Sequence, residues 1–278
     1  MMEKMRILLH SDGSKAGSLG FTLGTRIARA TASAVDILAT AKSPEQQKVS
    51  HQEIEATAHE LRDQGIAVTV HERPGFIGQQ LLRQADATHY DLIVIGSRGR
   101  RGLTRVITGS RACAVLGRAA TSVLVVKGHR RQTIDEILTC SAAGPASEET
   151  IRFAARLANA LGASVTLLHV MSQVALEEGA EEADLEAEAD ELIEREAREG
   201  VHLERMLGIL RGESVDAKAV VRHGLVVEEI LAEARDGHFD MMIVGAHTTP
   251  DIAGLLASDL AQQIMLAANR PTLIVRQE

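Results

Sequence analysis

Gly96, Gly99, Gly109 and Ser110 stand in "VIGSRGRRGLTRVITGSRACAVL", residues 94–116, with the nine residues Arg100 to Thr108 between the second and third glycines. A glycine has no Cβ, so backbone there can approach a ligand closely and turn its N–H groups toward an anion. Gly109-Ser110 opens a helix-like stretch. The free amides and dipole of a helix N-terminus favour phosphate, and the Ser110 hydroxyl adds a donor. The spacing is neither the G-x-x-x-x-G-K-[ST] of a P-loop nor G-x-G-x-x-G. Arg98, Arg100, Arg101, Arg105 and Arg111 surround it and can neutralise a polyphosphate or steer anions inward.

A second set of chemically competent residues lies more than 80 positions earlier, in "RILLHSDGS": Ser11 and Asp12. A carboxylate repels phosphate, so Asp12 suits a donor instead, such as an adenine amino group or a ribose hydroxyl. It can equally cap the helix that follows. Ile95, and Thr40 through its methyl group, close apolar strand ends that could sandwich a base.

The elements that must position these residues come in two copies. "MRILLHSDGSKAGSLGFTLGTRIARATASAVDILAT" (5–40) reads against "DEILTCSAAGPASEETIRFAARLANALGASVTLLHV" (135–170) at an offset of 130. "YDLIVIGSRG" reads against "FDMMIVGAHT", and "TSVLVV" against "RPTLIV", at an offset of 149, matching Asp91 to Asp240 and Gly96 to Gly245. The second copy thus holds 19 extra residues, assigned to the acidic run "LEEGAEEADLEAEADELIEREAREG". That run is expected to enlarge one helix, with Leu185, Ala189, Leu192, Ile193 and Ala197 on its apolar stripe and a solvated glutamate face.

Each copy alternates Val/Ile/Leu runs with helical stretches, the pattern of a parallel sheet covered on both faces. Ser14 is placed to cap a helix running to about Ala30, and Gly65 to end the helix of "HQEIEATAHELRDQG". Five strands per copy with right-handed crossovers predict two tandem doubly wound α/β domains, residues 1–130 and 131–278, of strand order 3-2-1-4-5. In that order the winding reverses between strands one and four, so "HSDGS" and "VIGSRG" converge on one crevice at the carboxyl ends of the strands.

Composition narrows the classes. With no Trp and one Tyr, single-stranded nucleic acid has no stacking platform. No apolar run approaches the ~20 residues of a membrane span. The start passes directly into a strand with no signal-peptide pattern, and Cys113 and Cys140 make no disulfide framework, so a cytoplasmic protein is expected. Both cysteines read as small buried hydrophobes. The net charge of −8 divides into +7 over residues 1–130 and −15 over 131–278, which gives the halves different jobs. His169, His223 and His247 lie near the second crevice but have no H-x-x-x-H spacing, and read as loop histidines rather than metal ligands.

"ILLHSDGS", "GSRGRRGLTRVITGS" and "TSVLVVK" together resemble the universal stress protein family, whose nucleotide-binding members share G-x-x-G-x9-G-[ST]. Gly96, Gly99, Gly109 and Ser110 match that pattern, Asp12 corresponds to the family's adenine-facing aspartate, and His10 stands where the family often has Pro or Val. The resemblance spans both copies. It implies a tandem member with the adenine nucleotide alpha hydrolase-like fold. It further implies a stress-response regulator that binds ATP (or ADP or AMP), with Mg²⁺, through Ser11, Asp12, Thr40, Ile95, Gly96, Arg98, Gly99, Gly109, Ser110 and Arg111. The second copy has Ala142 for Asp12, Thr248 for Gly99, and Ser258 and Asp259 for Gly109 and Ser110. A carboxylate at that helix start repels phosphate, so nucleotide is expected in the first copy alone. The copies are expected to pair through their last strands as an intramolecular pseudo-dimer, with homodimerisation and an unknown protein partner left open. No catalytic residue is evident. The alternative is an ATP-hydrolysing or adenylyl-transferring enzyme on the same sheet. A phospho-acceptor receiver ranks last, because no acidic pair ends strand one.

Overall fold

In a computed structural model of the chain, residues 4–40, 44–75, 77–97, 121–127, 133–142, 145–171, 187–246 and 252–276 are described. They fall into two compact units, one holding residues 1–132 with 269–276, the other 133–268.

The first unit runs β1 (Arg6–Ser11), α1 (Lys15–Ala30), β2 (Ala34–Ala39), α2 (Pro44–Asp63), β3 (Val68–Glu72), α3 (Ile77–Ala87), β4 (Leu92–Ser97) and β5 (Ser122–Lys127). Its strands lie in the order β3-β2-β1-β4-β5, all parallel, with Ile7 opposite Val35 on one side and Leu92 on the other. The winding reverses between β1 and β4, as the sequence predicts. A further strand, β10 (Thr272–Arg276), belongs to this unit and runs antiparallel to β5, Leu273 opposite Leu124.

Ser14 starts α1: its Oγ accepts a 3.1 Å bond from the Gly17 amide, satisfying one of the helix's orphan donors. The helix lies flush on the sheet because its buried face carries Gly20 and Gly24. A Cβ at Gly20 would meet the Gly96 amide, and one at Gly24 would meet Leu9 and Val94. Helix glycines cost roughly 0.5–1 kcal/mol each, offset here by contact with a core strand whose Ile7, Leu8 and Leu9 are wholly buried. Gly65 ends α2 at φ +76, the left-handed conformation that favours glycine.

The other face holds a polar knot. Asp36 on β2 accepts from Tyr90 Oη at 2.5 Å and from Arg6 Nη2 at 2.8 Å, and Gln84 on α3 donates to the Tyr90 oxygen at 2.8 Å. Burial first, and then the Asp36 contact, push the Tyr90 hydroxyl above its ordinary pKa. The second copy has Thr166 and Phe239 at the matching positions.

The second unit runs β6 (Glu136–Ser141), α4 (Pro145–Leu161), β7 (Ser164–Met171), α5 (Ala189–Glu194), α6 (Arg198–Gly212), β8 (Ala217–His223), α7 (Val226–Asp236), β9 (Met241–Ala246) and α8 (Ile252–Ala267). Its strands follow β8-β7-β6-β9, all parallel where paired, and Ile137 faces Val165 as Ile7 faces Val35. The aspartate shared by the repeats is structural. Asp91 Oδ2 accepts from the Arg6 amide at 2.7 Å, and Asp240 Oδ2 from the Asp135 and Glu136 amides at 2.9 and 3.1 Å, so each ties down the start of a central strand.

The acidic run is not one enlarged helix. The chain leaves α5 at Arg195, Glu196 takes φ +53, and the Ala197 amide returns to the Leu192 carbonyl at 3.0 Å, which closes the helix before α6 begins. Gly200 then lets α6 sit against the Leu192 carbonyl, where a Cβ would not fit. Ala189 and Leu192 are buried as expected, and Leu185 lies outside the described residues.

Candidate functional site

The carboxyl ends of β1, β2 and β4 bring together Ser11, Asp12, Thr40 and Gly96 from three separate stretches of sequence. Asp12 follows β1 directly. Its Oδ1 accepts a 3.0 Å bond from the Ser14 amide, so the capping role is real. Its other oxygen has no hydrogen-bond partner among the described residues. Gly17 leaves room for the capping oxygen: a Cβ there would stand against Oδ1 and come within 3.3 Å of the Asp12 amide. One carboxylate oxygen is therefore spent on the helix start, and one is available to an external donor.

Ser11 is fully buried, and its hydroxyl donates to Glu53 Oε2 at 3.1 Å while accepting from Ser50 Oγ at 3.1 Å. His10 Nε2 and Thr40 Oγ1 lie 2.8 Å apart, joining the ends of β1 and β2 below the surface. Thr40 is 3% exposed and Ile95 1%, so both side chains support the crevice floor from within the core. Glu53 and Ser50 sit on α2. A cavity of about 270 Å³ opens beside Ser50, bounded by Ala39, Gln47, His51, Glu72, Arg73 and Pro74, with His51 Nδ1 3.1 Å from Glu72 Oε1 across it. That volume falls just below the ~300–1,000 Å³ of small-molecule sites.

Gly96 lies inside β4, and its missing Cβ makes way for the Ala16 carbonyl of α1. Its glycine identity is thus explained by helix–sheet contact; the turning, anion-facing role expected of it is not needed to account for it. Ser97 beside it is buried, and its hydroxyl has no partner among the described residues. Arg98, Gly99, Gly109, Ser110 and Arg111, with Arg100, Arg101 and Arg105, lie outside the described residues.

The second unit rebuilds the same place with different chemistry. Ala142 replaces Asp12, and its amide donates to Ser147 Oγ at 3.2 Å, Ser147 being the counterpart of Gly17. Ser141, the counterpart of Ser11, lies 2.5 Å from Nε2 of His202. His169 donates from Nδ1 to the Ser141 carbonyl at 3.3 Å, and the His169 and His202 rings are 5.8 Å apart. Burial holds both imidazoles below their ordinary pKa; for His202 the neighbouring His169 and Arg205 push the same way. His223 donates from Nε2 to the Ala187 carbonyl at 3.1 Å. His247 lies outside the described residues. Among the described residues no three His, Cys, Asp or Glu side chains are placed to hold a metal ion. Cys140 is half-buried rather than the buried hydrophobe expected, and desolvation pushes its thiol up to about 12; Cys113 is not described.

Glu53, Ser50 and His202 did not stand out in the sequence. The signal was the offset of 149 extended into the helix before strand three, which aligns Glu53 with His202 and Ser50 with Glu199.

No described helix is long and apolar enough to cross a membrane. The model of the universal stress protein family matches residues 21–127 and 133–276. A universal stress protein of Mycolicibacterium smegmatis is 25% identical over 217 residues, covering 76% of this chain and 70% of that protein. The crystal structure of a universal stress protein from Archaeoglobus fulgidus covers 98% of this chain and 96% of its own, with a TM-score of 0.62 at 14% identity. A protein of unknown function from Pseudomonas aeruginosa PAO1 covers 98% and 92%, with a TM-score of 0.71 at 17% identity. These structures share the fold.

Proposed function

The chain belongs to the universal stress protein family, and from that premise we propose that it binds one adenine nucleotide, ATP or ADP, in its first repeat and acts as a stress-response regulator in the cytoplasm. The observation that carries this reading is the engagement of Asp12. One oxygen anchors the start of α1, while the other is left for a donor at the point where the winding reverses. An adenine amino group or ribose hydroxyl supplies that donor. Gly99, Gly109 and Ser110 would then take the phosphates, with Arg98 and Arg111 balancing their charge. Any Mg²⁺ would arrive with the triphosphate.

The second repeat lacks each of these features. Ala142 has no carboxylate, its amide is already taken by Ser147, and Asp259 stands where Ser110 meets phosphate in the first. The regulator reading is preferred to an enzyme acting on nucleotide because the sequence of the glycine loop, residues 96–110, holds arginines but no Asp, Glu or His to serve as a general base. The antiparallel register of β5 and β10 supports pairing of the repeats through their last strands.

Calorimetric titration of the full chain with ATP tests the reading. The expected result is one site per chain, lost in Asp12→Ala with the fold intact. Two equivalent sites, or none, would sink it, and steady turnover of the bound ATP would favour the enzyme instead.

A further inference from the structure

Ser141 closes β6, so it stands at the carboxyl edge of the sheet. Two imidazoles fix it. His202 Nε2 lies 2.5 Å from Oγ, and His169 Nδ1–H holds the carbonyl of the same residue at 3.3 Å. In the first repeat the matching hydroxyl of Ser11 is shared between a carboxylate and another serine. The exchange of Glu53 for His202 turns a hydrogen-bonded serine into one paired with a nitrogen base.

We propose that Ser141 and His202 form a nucleophile–base pair that cleaves small activated carboxylic esters. Ser141 Oγ attacks the ester carbonyl carbon, and its proton passes to His202 Nε2. The carbon–oxygen bond to the leaving alkoxide breaks, and His202 returns the proton to that oxygen. Water then attacks the acyl-serine with His202 again taking the proton, releasing the acid and restoring the hydroxyl. Burial keeps His202 neutral at neutral pH, the form that can accept a proton. Ser141 is 8% exposed and the two histidines are only partly buried, which restricts the substrate to a small acyl group. The charged side chains around the pair are Glu148, Glu199 and Arg205, and Glu148 is already paired with Arg205 and with Arg152.

The test uses the full chain with p-nitrophenyl acetate and, separately, a fluorophosphonate probe mapped by peptide mass spectrometry. The expected result is covalent label on Ser141 and ester hydrolysis that falls at least about tenfold in Ser141→Ala. His202→Glu copies the pairing of the first repeat, so it keeps a partner for the hydroxyl while supplying a far weaker base. It should retain the melting temperature and lose both label and turnover. Absence of label from Ser141 in the unmutated chain would overturn the proposal whatever the variants do. So would hydrolysis that persists in Ser141→Ala, or labelling undiminished in a folded His202→Glu. ATP titration of the same samples reads the first repeat independently.

Discussion

The Cβ that Gly17 lacks would stand against Oδ1 of Asp12, one turn apart at the start of α1. The missing methyl group therefore sets the position of the carboxylate assigned to the nucleotide. Gly17→Ala forces that carboxylate to rotate, which is easy for the end of a flexible side chain. The fold should hold, helped by the better helix propensity of alanine. ATP affinity should fall about tenfold, or ~1.4 kcal/mol. Calorimetry beside a thermal melt checks both halves: a loss of affinity that tracks a loss of stability would reject the assignment.

Gly96→Ala meets backbone, where Gly17→Ala meets a side chain. Its new methyl would collide with the Ala16 carbonyl and the Gly17 Cα, so α1 must lift off β4. Denaturant unfolding should show a loss of about 2–3 kcal/mol. Gly245→Ala in the second repeat meets the Thr150 hydroxyl, a side chain that can adjust, and should cost about half as much.

Tyr90→Phe removes a hydroxyl that donates to buried Asp36 and accepts from Gln84. The expected cost is about 1–3 kcal/mol, because a buried carboxylate loses a donor. The second repeat has Phe239 and Thr166 at these positions, so Asp36→Thr should relieve much of that loss. A double-mutant cycle by urea unfolding should return a coupling of at least ~0.5 kcal/mol, and additive effects would contradict the geometry.

His169 and His202 are held below the ordinary value of 6.5 in the folded chain. Below that pH the unfolded chain takes up protons that the folded one refuses, so acid favours unfolding. Stability contributed by these two groups is complete above pH 6.5 and declines as pH falls toward their folded values. Thermal melts at pH 7.5 and 5.5 should show a drop that shrinks in a His169→Gln/His202→Gln variant. An equal drop in that variant would place the acid sensitivity elsewhere.

The sheet and its reversal were legible because unbroken Val/Ile/Leu runs and the repeat offsets leave few alternatives, and Ser14 and Gly65 act through neighbours close in sequence. Gly96 was harder to read. Its glycine-rich surroundings point to a ligand, whereas the group that excludes a side chain is a carbonyl 80 residues earlier, which only the helix–sheet contact reveals. The break at Glu196 hid for another reason. The apolar stripe runs through it at helical spacing, and no glycine or proline marks the left-handed residue. His202 was within reach of the 149 offset that aligns it with Glu53, but the contact that singles it out is with a serine 61 positions earlier, on the far side of the insertion.

Arg276 on β10 donates its amide to Ser122 Oγ on β5 across 154 positions of sequence. At about 5–20 residues per second of synthesis, the outer edge of β5 waits on the order of 8–30 seconds for the strand that covers it. During that window the nascent chain presents an apolar, hydrogen-bond-hungry border while a whole further unit is being made. The first repeat, though translated first, cannot finish before the second has emerged.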